Sequence, residues 1–366
     1  MTGPSILLID DKAEVLDGLE TQLASQLPDG VEVRRWMPGI DGDDPEKKFG
    51  SLVDGETVLV ATDYDLTGNG MKGLFGLTIV GWCQNRSIPV GDFSRGHTRD
   101  LPDEPNLFEL RVPPNDFEGA RYIAAAVEGF MHIRRAFDED ATLLDAGQNL
   151  ATILGSILGR PHLDTEFALY MTRLGSSNAS LLQRLRDFAA PPEAVEREEK
   201  AQVLTYVLGH VLLNAVLKFP GPILSERALC AYLATTEGET EEIAPIFEDA
   251  VYTGPFASGA RCYWREDVDT ILDGFAEVIA QQQFAGFGDF NRAALAVAIG
   301  REPAAHTCDR EGCGGRKGGF LCPFTHRPVC ERGDCSVPSS SWIPQGAQLS
   351  RVERDYYDEW APLLGL

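Results

Sequence analysis

The chain has 366 residues, of which 43% are apolar and 24% charged, and its formal net charge is −24. This length favours two or three domains over one core, and the apolar content is that of a globular protein. No segment approaches the ~18–20 uninterrupted apolar residues of a membrane span, and MTGPSILLIDD lacks the basic and cleavable apolar regions of an export signal. These features predict a soluble cytoplasmic protein.

Carboxylates follow two apolar runs in the first part of the chain. SILLIDD ends in Asp10 and Asp11, and Asp63 follows the run TVLVAT. Both runs are short and rich in Ile, Leu and Val, which favours buried parallel strands. Because the carboxyl ends of such strands meet at one edge of a sheet, the three carboxylates are expected to converge. Their mutual repulsion predicts a hard cation such as Mg²⁺ among them, beside one reactive aspartate.

At these residues the chain resembles the receiver domain of two-component response regulators, over roughly residues 4–137. ILLIDDKAEVLDGLETQLASQL matches the family's opening, and DYDLTGNGMKGLFGL is similar to its phosphoacceptor segment. The resemblance implies a flavodoxin-like domain with a five-stranded parallel sheet. It also implies that Asp63 is phosphorylated and that Asp10, Asp11 and Asp63 hold Mg²⁺. IPVGDFS resembles the next strand, so Ser94 would contact the phosphoryl group.

The chain departs from the receiver pattern in two places. LFELRVPP resembles the last strand, which in the family normally ends in Lys-Pro, yet Val112 precedes Pro113. The lysine is missing unless Arg111 replaces it by a shift of register, and Thr67 stands where the family usually has proline. Two alternatives therefore stay open. One is a pseudo-receiver that only docks a partner, and the other is an ordinary doubly wound domain whose aspartates cap helices.

The middle of the chain, residues 138–300, is predicted to be mainly helical. NDFEGARYIAAAVEGFMHIRRAF begins with a cap signal and predicts the last receiver helix, over 116–137, extended as a connector. Further helices are expected near 140–158, 163–174, 178–189, 199–218, 225–234 and 240–249. AVYTGPFASGARCYWRED predicts a hairpin, which makes the part near 220–275 winged-helix-like. Since its helices lack basic residues, it is expected to contact protein rather than DNA.

Two features of the helical regions mimic catalytic motifs. VLGHVLLNAVLKFPGP resembles the asparagine-bearing helix of histidine-kinase ATPase domains, with Asn214 as its candidate metal ligand, but the family's downstream D-x-G-x-G segment is absent. His210 and Asn214 are therefore expected to make structural hydrogen bonds. His132, alone on the connector helix, is likewise expected to be structural.

Cysteines crowd into the last region, residues 301–366. Cys308 and Cys313 form one C-x4-C pair, and Cys330 and Cys335 form another after 16 intervening residues. In a cytosolic chain such clustering favours metal over disulfides, and four thiolates suit a structural zinc ion. We assign these four as ligands and hold Cys322 and His326, between the pairs, in reserve. GGFLC and RPVC are expected to form a short hairpin around PFTH.

The distribution of negative charge along the chain indicates which classes of partner can bind. The net charge is −12 over residues 1–120, −11 over 121–300 and −1 over 301–366. The negative charge of residues 1–300 repels the phosphate backbone of nucleic acids, so direct nucleic-acid binding is not expected. The aromatic carboxy-terminal sequence offers either contacts for a protein partner or a cover for the zinc module. Its candidate residues are Trp342, Tyr356, Tyr357 and Trp360.

Together these features predict a multidomain α/β plus α protein: a receiver-like domain (1–137), a helical domain (138–300) and a zinc module (301–366). The predicted function is that of a signalling or adaptor protein. It would accept a phosphoryl group on Asp63, or act as a pseudo-receiver, and signal through protein partners such as a histidine kinase or a larger assembly. The alternative is a zinc-dependent hydrolase or nuclease regulated by the receiver. Against it, residues 138–300 hold no recognisable nucleophile–base pair or H-E-x-x-H segment.

Overall fold

The computed structural model describes residues 3–39, 44–68, 73–93, 107–145, 147–176, 183–185, 197–315, 319–338 and 342–362. The chain divides into two compact units. Unit 1 comprises Met1–His162, Arg173–Asn214 and Gly254–Gly259, and unit 2 comprises Leu163–Thr172, Ala215–Thr253 and Ala260–Leu366. The region predicted as a separate helical domain, 138–300, thus contributes to both units.

Unit 1 is built on a five-stranded parallel sheet, which contains the two strands predicted from the apolar runs and has the strand number that the resemblance implied. Its strands are β1 (Ser5–Ile9), β2 (Glu32–Trp36), β3 (Thr57–Thr62), β4 (Val90–Asp92) and β5 (Leu110–Arg111). They lie in the order β2-β1-β3-β4-β5, and all four pairings are parallel. This is the strand order of flavodoxin-like folds, in which ligands bind at the carboxyl ends of the strands.

Both faces of this sheet are covered, which explains the unbroken apolar character of β1. Every residue from Ile6 to Ile9 is at most 1% exposed. Helices α1 (Ala13–Leu23), α2 (Pro45–Leu52) and α3 (Gly76–Arg86) connect the first four strands. Full burial of each such side chain contributes roughly 1.5–3 kcal/mol, so a charge introduced within β1 would disrupt the domain.

The predicted connector helix is present as α4 (Asp116–Glu139). The side chain of Asn115 accepts hydrogen bonds from the backbone N–H groups of Phe117 and Glu118, at 3.0 and 3.2 Å, and so provides the predicted cap. Two further helices of unit 1 are α5 (Leu150–Ile157) and, after α6 of unit 2 (Asp164–Tyr170), α7 (Arg197–Val211). A π-helical turn, Leu212–Val216, follows α7.

Close helix packing in unit 1 depends on glycine. A Cβ at Gly209 would lie 2.2 Å from the ring of Phe130, and one at Gly129 would lie 2.1 Å from the ring of Phe256. A larger residue at Gly209 would push α7 away from α4, and one at Gly129 would push α4 away from the segment that carries Phe256.

Unit 2 has its own apolar core, made largely by short helices around a two-stranded sheet. Strands β6 (Ile223–Ser225) and β7 (Cys262–Trp264) pair antiparallel. Between the two strands lie α8 (Glu226–Tyr232) and α9 (Thr240–Ile243), and after β7 come α10 (Arg265–Asp273), α11 (Ala276–Ile279) and α12 (Phe287–Ile299). The predicted hairpin contributes an isolated bridge, Val251 to Tyr263, while β7 takes β6 as its main partner. The winged-helix prediction is not confirmed by these pairings.

The last part of unit 2 consists of two small antiparallel pairs and a helix. Strands β8 (Phe320–Leu321) and β9 (Pro328–Val329) form the hairpin predicted around PFTH. Strand β10 (Ser336–Val337) pairs with β11 (Val352–Glu353), and α13 (Arg354–Trp360) follows directly. Within the described residues, no helix is long and apolar enough to cross a membrane.

Candidate functional site: a carboxylate cluster and a cysteine cluster

The three aspartates named from the sequence come together at the carboxyl edge of the sheet in unit 1. Ile9 and Thr62 are paired in register, so the residues that follow them emerge side by side. The backbone N–H of Asp63 donates to the carbonyl of Ile9 at 2.9 Å. Oxygen atoms of Asp10, Asp11 and Asp63 all lie within 4.8 Å of one another, an arrangement that could hold a metal ion.

The cluster has an electrostatic environment that disfavours charge on Asp10. This side chain is only 2% exposed. Burial is the main reason that its pKa rises to about 6, and the negative charges of Asp63 and Asp11 add to the effect. The backbone N–H of Lys12, which donates to Asp10 Oδ1 at 2.7 Å, opposes it, and so does the Lys12 ammonium. A cation among these carboxylates would relieve their repulsion.

The segment after Asp63 folds back over the cluster. The backbone N–H of Gly68 donates to Asp11 Oδ2 at 2.8 Å, and a Cβ on Gly68 would lie 2.1 Å from that oxygen. Glycine is therefore required for the approach. Thr67 donates from its N–H and its hydroxyl to Asp65 Oδ1 and so forms a side-chain-stabilised turn.

A fourth carboxylate, which the sequence reasoning missed, stands beside the cluster. Asp92 ends β4 and is paired in register with Thr62, the residue before Asp63. Burial raises the pKa of Asp63, and the negative charge of Asp92 raises it further. The sequence signal that could have identified Asp92 is its position at the end of the apolar run IPVGD, which matches that of Asp63 after TVLVAT. The predicted phosphoryl contact, Ser94, lies outside the described residues.

The residue before Pro113, at the end of β5, packs in the core of unit 1. Arg111 is paired with Asp92 in regular register and is exposed, so no shift places it before Pro113. Val112 is buried instead, and its methyl groups pack against Gly91 and Gly119. A Cβ on Gly91 would lie 2.8 Å from Val112 Cγ2, and one on Gly119 would lie 3.4 Å from Val112 Cγ1. Val112 is therefore an apolar packing residue, and the exposed Arg111 precedes it.

The four cysteines assigned as zinc ligands form a second cluster, in unit 2. Their sulfur atoms all lie within 4.8 Å of one another, and all four side chains are buried. The sulfurs of Cys313 and Cys330 lie 3.6 Å apart, and no disulfide is present among the described cysteines. Such a group could hold a metal ion.

Tight turns bring the two cysteine pairs together. The backbone N–H of Cys313 donates to the carbonyl of Arg310, and that of Cys335 donates to the carbonyl of Arg332. Gly312, with φ at +78°, allows the first turn to close. Burial, together with neighbouring sulfur atoms, raises the pKa of Cys335 to about 12, so a bound cation would be needed to hold this group as thiolate.

The reserve ligands lie apart from the cluster. Cys322 is fully buried, and its sulfur accepts a hydrogen bond from the backbone N–H of Glu353 at 3.3 Å. His326 is exposed in the hairpin turn, with φ at +55°. Neither joins the four sulfur atoms, and within the described residues no histidine or carboxylate does.

The carboxy-terminal aromatic residues pack on one another. Trp342 is only 4% exposed, while Tyr356, Tyr357 and Trp360 are half-buried. The rings of Phe324 and Tyr356 are stacked, with centroids 5.4 Å apart, and Trp342 meets both edge-on. These contacts favour a cover for the module over a free contact surface, and they leave Trp342 inaccessible to a partner.

Asn214 and His210 of the kinase-like segment make structural hydrogen bonds, as expected. Asn214 donates its side-chain amide to the carbonyls of Leu107 and Glu109, just before β5. His210 is fully buried among aromatic rings, and its Nδ1 lies 2.8 Å from the carbonyl oxygen of Tyr206. The bonds of Asn214 hold the turn after α7 against the residues before β5, whereas the bond of His210 lies within α7.

The burial of His210 predicts a pH-dependent loss of stability. Burial lowers the pKa of His210 from 6.5 to about 4, so the folded state keeps the ring neutral while the unfolded state takes up a proton below pH 6.5. The free energy of unfolding should fall by about 2 kcal/mol between pH 7.5 and pH 5 from this group alone. Urea unfolding at both pH values, compared between the wild type and His210→Phe, measures it. His132→Gln, at an exposed position, is the control. An equal pH effect in all three proteins would contradict the prediction.

The chain matches no protein-family model, no curated protein and no solved structure. Assignment of a function therefore rests on the strand order and on the two residue clusters.

Proposed function

We propose that this protein is a signalling or adaptor protein in which unit 1 acts as a receiver-like domain. The observation that carries the proposal is the convergence of three carboxylates at the carboxyl edge of a parallel sheet in flavodoxin-like order. Asp10, Asp11 and Asp63 are the proposed Mg²⁺ ligands. When bound, the ion would neutralise negative charge on an incoming phosphoryl group.

Asp63 is the proposed phosphoacceptor. One of its carboxylate oxygens forms a bond to the phosphorus atom of a small phosphodonor, and the donor's leaving group departs with the electrons of the broken P–O bond. Ser94 is proposed to contact the transferred group. The negative charge of Asp92 and the apolar Val112 both oppose accumulation of phosphate charge, so slow modification is expected.

Output through a protein partner, such as a histidine kinase or a larger assembly, is favoured over output through DNA. The first 300 residues carry 47 acidic and 24 basic side chains, which repel phosphate backbones. The carboxy-terminal cluster is proposed to hold a structural zinc ion through Cys308, Cys313, Cys330 and Cys335. A site of four thiolates has no open position for water, which disfavours a zinc-dependent enzyme.

Incubation with acetyl phosphate and Mg²⁺ tests the proposal. Intact-mass spectra should show one added phosphoryl group, and beryllofluoride should change the amide spectrum of the same segment. Asp63→Asn should abolish both effects because it removes the attacking oxygen. Asp65→Asn, two residues away and exposed, is the matched control and should retain them. Absence of both effects in the wild type would leave only a pseudo-receiver that docks partners.

A further inference from the structure

The acidic site of unit 1 holds more negative charge than one divalent cation can neutralise. Oxygen atoms of Asp10, Asp11 and Asp63 lie within 4.8 Å of one another, and the negative charge of Asp92 also acts on Asp63. Mg²⁺ would supply two positive charges against these four carboxylates. A phosphoryl group on Asp63 would bring about two further negative charges, so a second cation should assist its transfer.

Lys12 stands directly after the acidic pair, as the N-cap residue of helix α1. Its backbone N–H donates to Asp10 Oδ1 at 2.7 Å, so its backbone is held against one of the proposed metal ligands. The flexible stem of a lysine places the ammonium up to about 6 Å from Cα. Because the oxygen atoms of the cluster all lie within 4.8 Å of one another, the ammonium can reach a group bound at Asp63.

The charge of Lys12 acts on the cluster and is not neutralised elsewhere. Burial is the main cause that raises the pKa of Asp10 and of Asp63, and the positive charge of Lys12 opposes the rise at both carboxylates. The Lys12 side chain is exposed, and within the described residues it forms no salt bridge. Its ammonium is therefore available to an incoming anionic group.

The other side of Asp63 offers a different set of residues. Strands β4 and β5 contribute Asp92 and the buried side chain of Val112. Arg111, also basic, is paired in register with Asp92. Lys12 is the stronger candidate for the second cation, because its charge acts on Asp63 itself.

We propose that Lys12 binds the phosphoryl group that is transferred to Asp63. The ammonium keeps its proton and donates an N–H to a phosphoryl oxygen. Meanwhile the Asp63 oxygen bonds to phosphorus, and the acetate of acetyl phosphate leaves with the electrons of the broken P–O bond. This role rests on the proposed function, since it names the residue that stabilises the charge of the same transfer. Before transfer, the ammonium competes with Mg²⁺ for the carboxylates.

The rate of phosphorylation by acetyl phosphate and Mg²⁺, followed by intact-mass spectra, tests the role of Lys12. Lys12→Gln should slow the reaction about ten- to hundredfold, the effect of one lost hydrogen bond between charged groups. The same variant should bind beryllofluoride more weakly by a similar factor. Lys12→Arg, which keeps the positive charge, should retain most of the wild-type rate.

Binding of Mg²⁺, measured by calorimetry, separates a phosphoryl contact from damage to the metal site. Because Lys12→Gln removes a competing cation, it should bind Mg²⁺ about two- to fivefold more tightly than the wild type. Lys47→Gln, at an exposed lysine of α2, removes the same charge and should match the wild type in both assays. Arg111→Gln tests the alternative cation and should also retain the wild-type rate.

Three results would overturn the assignment of Lys12: an unchanged rate in Lys12→Gln, a loss of rate in Arg111→Gln instead, or a slower rate in Lys12→Gln accompanied by weaker Mg²⁺ binding. In each case the wild type is still modified, so the proposed function stands. A wild type that takes up neither a phosphoryl group nor beryllofluoride would overturn the proposed function itself, and the role of Lys12 with it.

Discussion

Replacing Cys335 with serine should remove the metal from the carboxy-terminal module. The purified wild-type chain is expected to carry about one zinc ion, held by four buried sulfur atoms that lie within 4.8 Å of one another. Apparent binding free energies of structural zinc, of order 10–16 kcal/mol, equal or exceed the whole stability of a typical domain. Loss of one ligand should therefore both release the ion and loosen residues 301–366.

Metal analysis and hydrogen exchange measure these two effects. Cys313→Ser should behave like Cys335→Ser. Cys322→Ser is the matched control, because Cys322 is a buried cysteine of the same module that accepts a backbone hydrogen bond instead of joining the cluster. Zinc retained in Cys335→Ser but lost in Cys322→Ser would transfer the assignment to the reserve pair. A wild type without metal, prepared without chelator, would refute a zinc site altogether.

Replacing Asp10 with asparagine should stabilise the metal-free protein while abolishing Mg²⁺ binding. Burial raises the pKa of Asp10 from 3.8 to about 6. Above pH 6 the carboxylate is charged in both states, but the buried site of the folded state stabilises this charge less well than water does in the unfolded state. This contribution to stability is most favourable below pH 4 and is lost as the pH rises through 6. Removal of the charge should therefore raise the free energy of unfolding at pH 7.5 by about 3 kcal/mol.

Urea unfolding with and without Mg²⁺ measures both parts of this prediction. In the wild type Mg²⁺ should stabilise the fold, and its affinity should weaken about tenfold per pH unit below 6 as Asp10 takes up a proton. Asp10→Asn should show no Mg²⁺ effect at any pH. Glu14→Gln, at an exposed position of α1, should match the wild type. Mg²⁺ stabilisation that persists in Asp10→Asn would eliminate this residue as a ligand.

The parts of the fold that could be predicted from sequence depend on local patterns. Short apolar runs ending in aspartate predicted β1 and β3, and the rule that parallel strands end at one edge predicted their convergence. The cap signal at Asn115 predicted the start of α4, and the C-x4-C pairs predicted the cysteine cluster. Each signal lies within a few residues of the feature it predicts.

Other features depend on contacts between distant segments and had no local signal. Asp92 belongs to the acidic site only because β4 is paired in register with β3, since a single aspartate at a strand end is otherwise an ordinary cap residue. Trp342 is buried because Phe324 and Tyr356 surround it.

The sequence alone thus determined which residue types were available for a cation site and a thiolate site, and near which strand ends and turns they lie. Only the tertiary structure decided the charge of the acidic site, because strand register brings Asp92 beside Asp63 and puts Val112 into the core. It also decided which of the five clustered cysteines come together, since the β8–β9 hairpin holds Cys322 at a backbone N–H, away from the other four. The physical reason is that charge and coordination depend on distance in space, whereas sequence patterns report only neighbours along the chain.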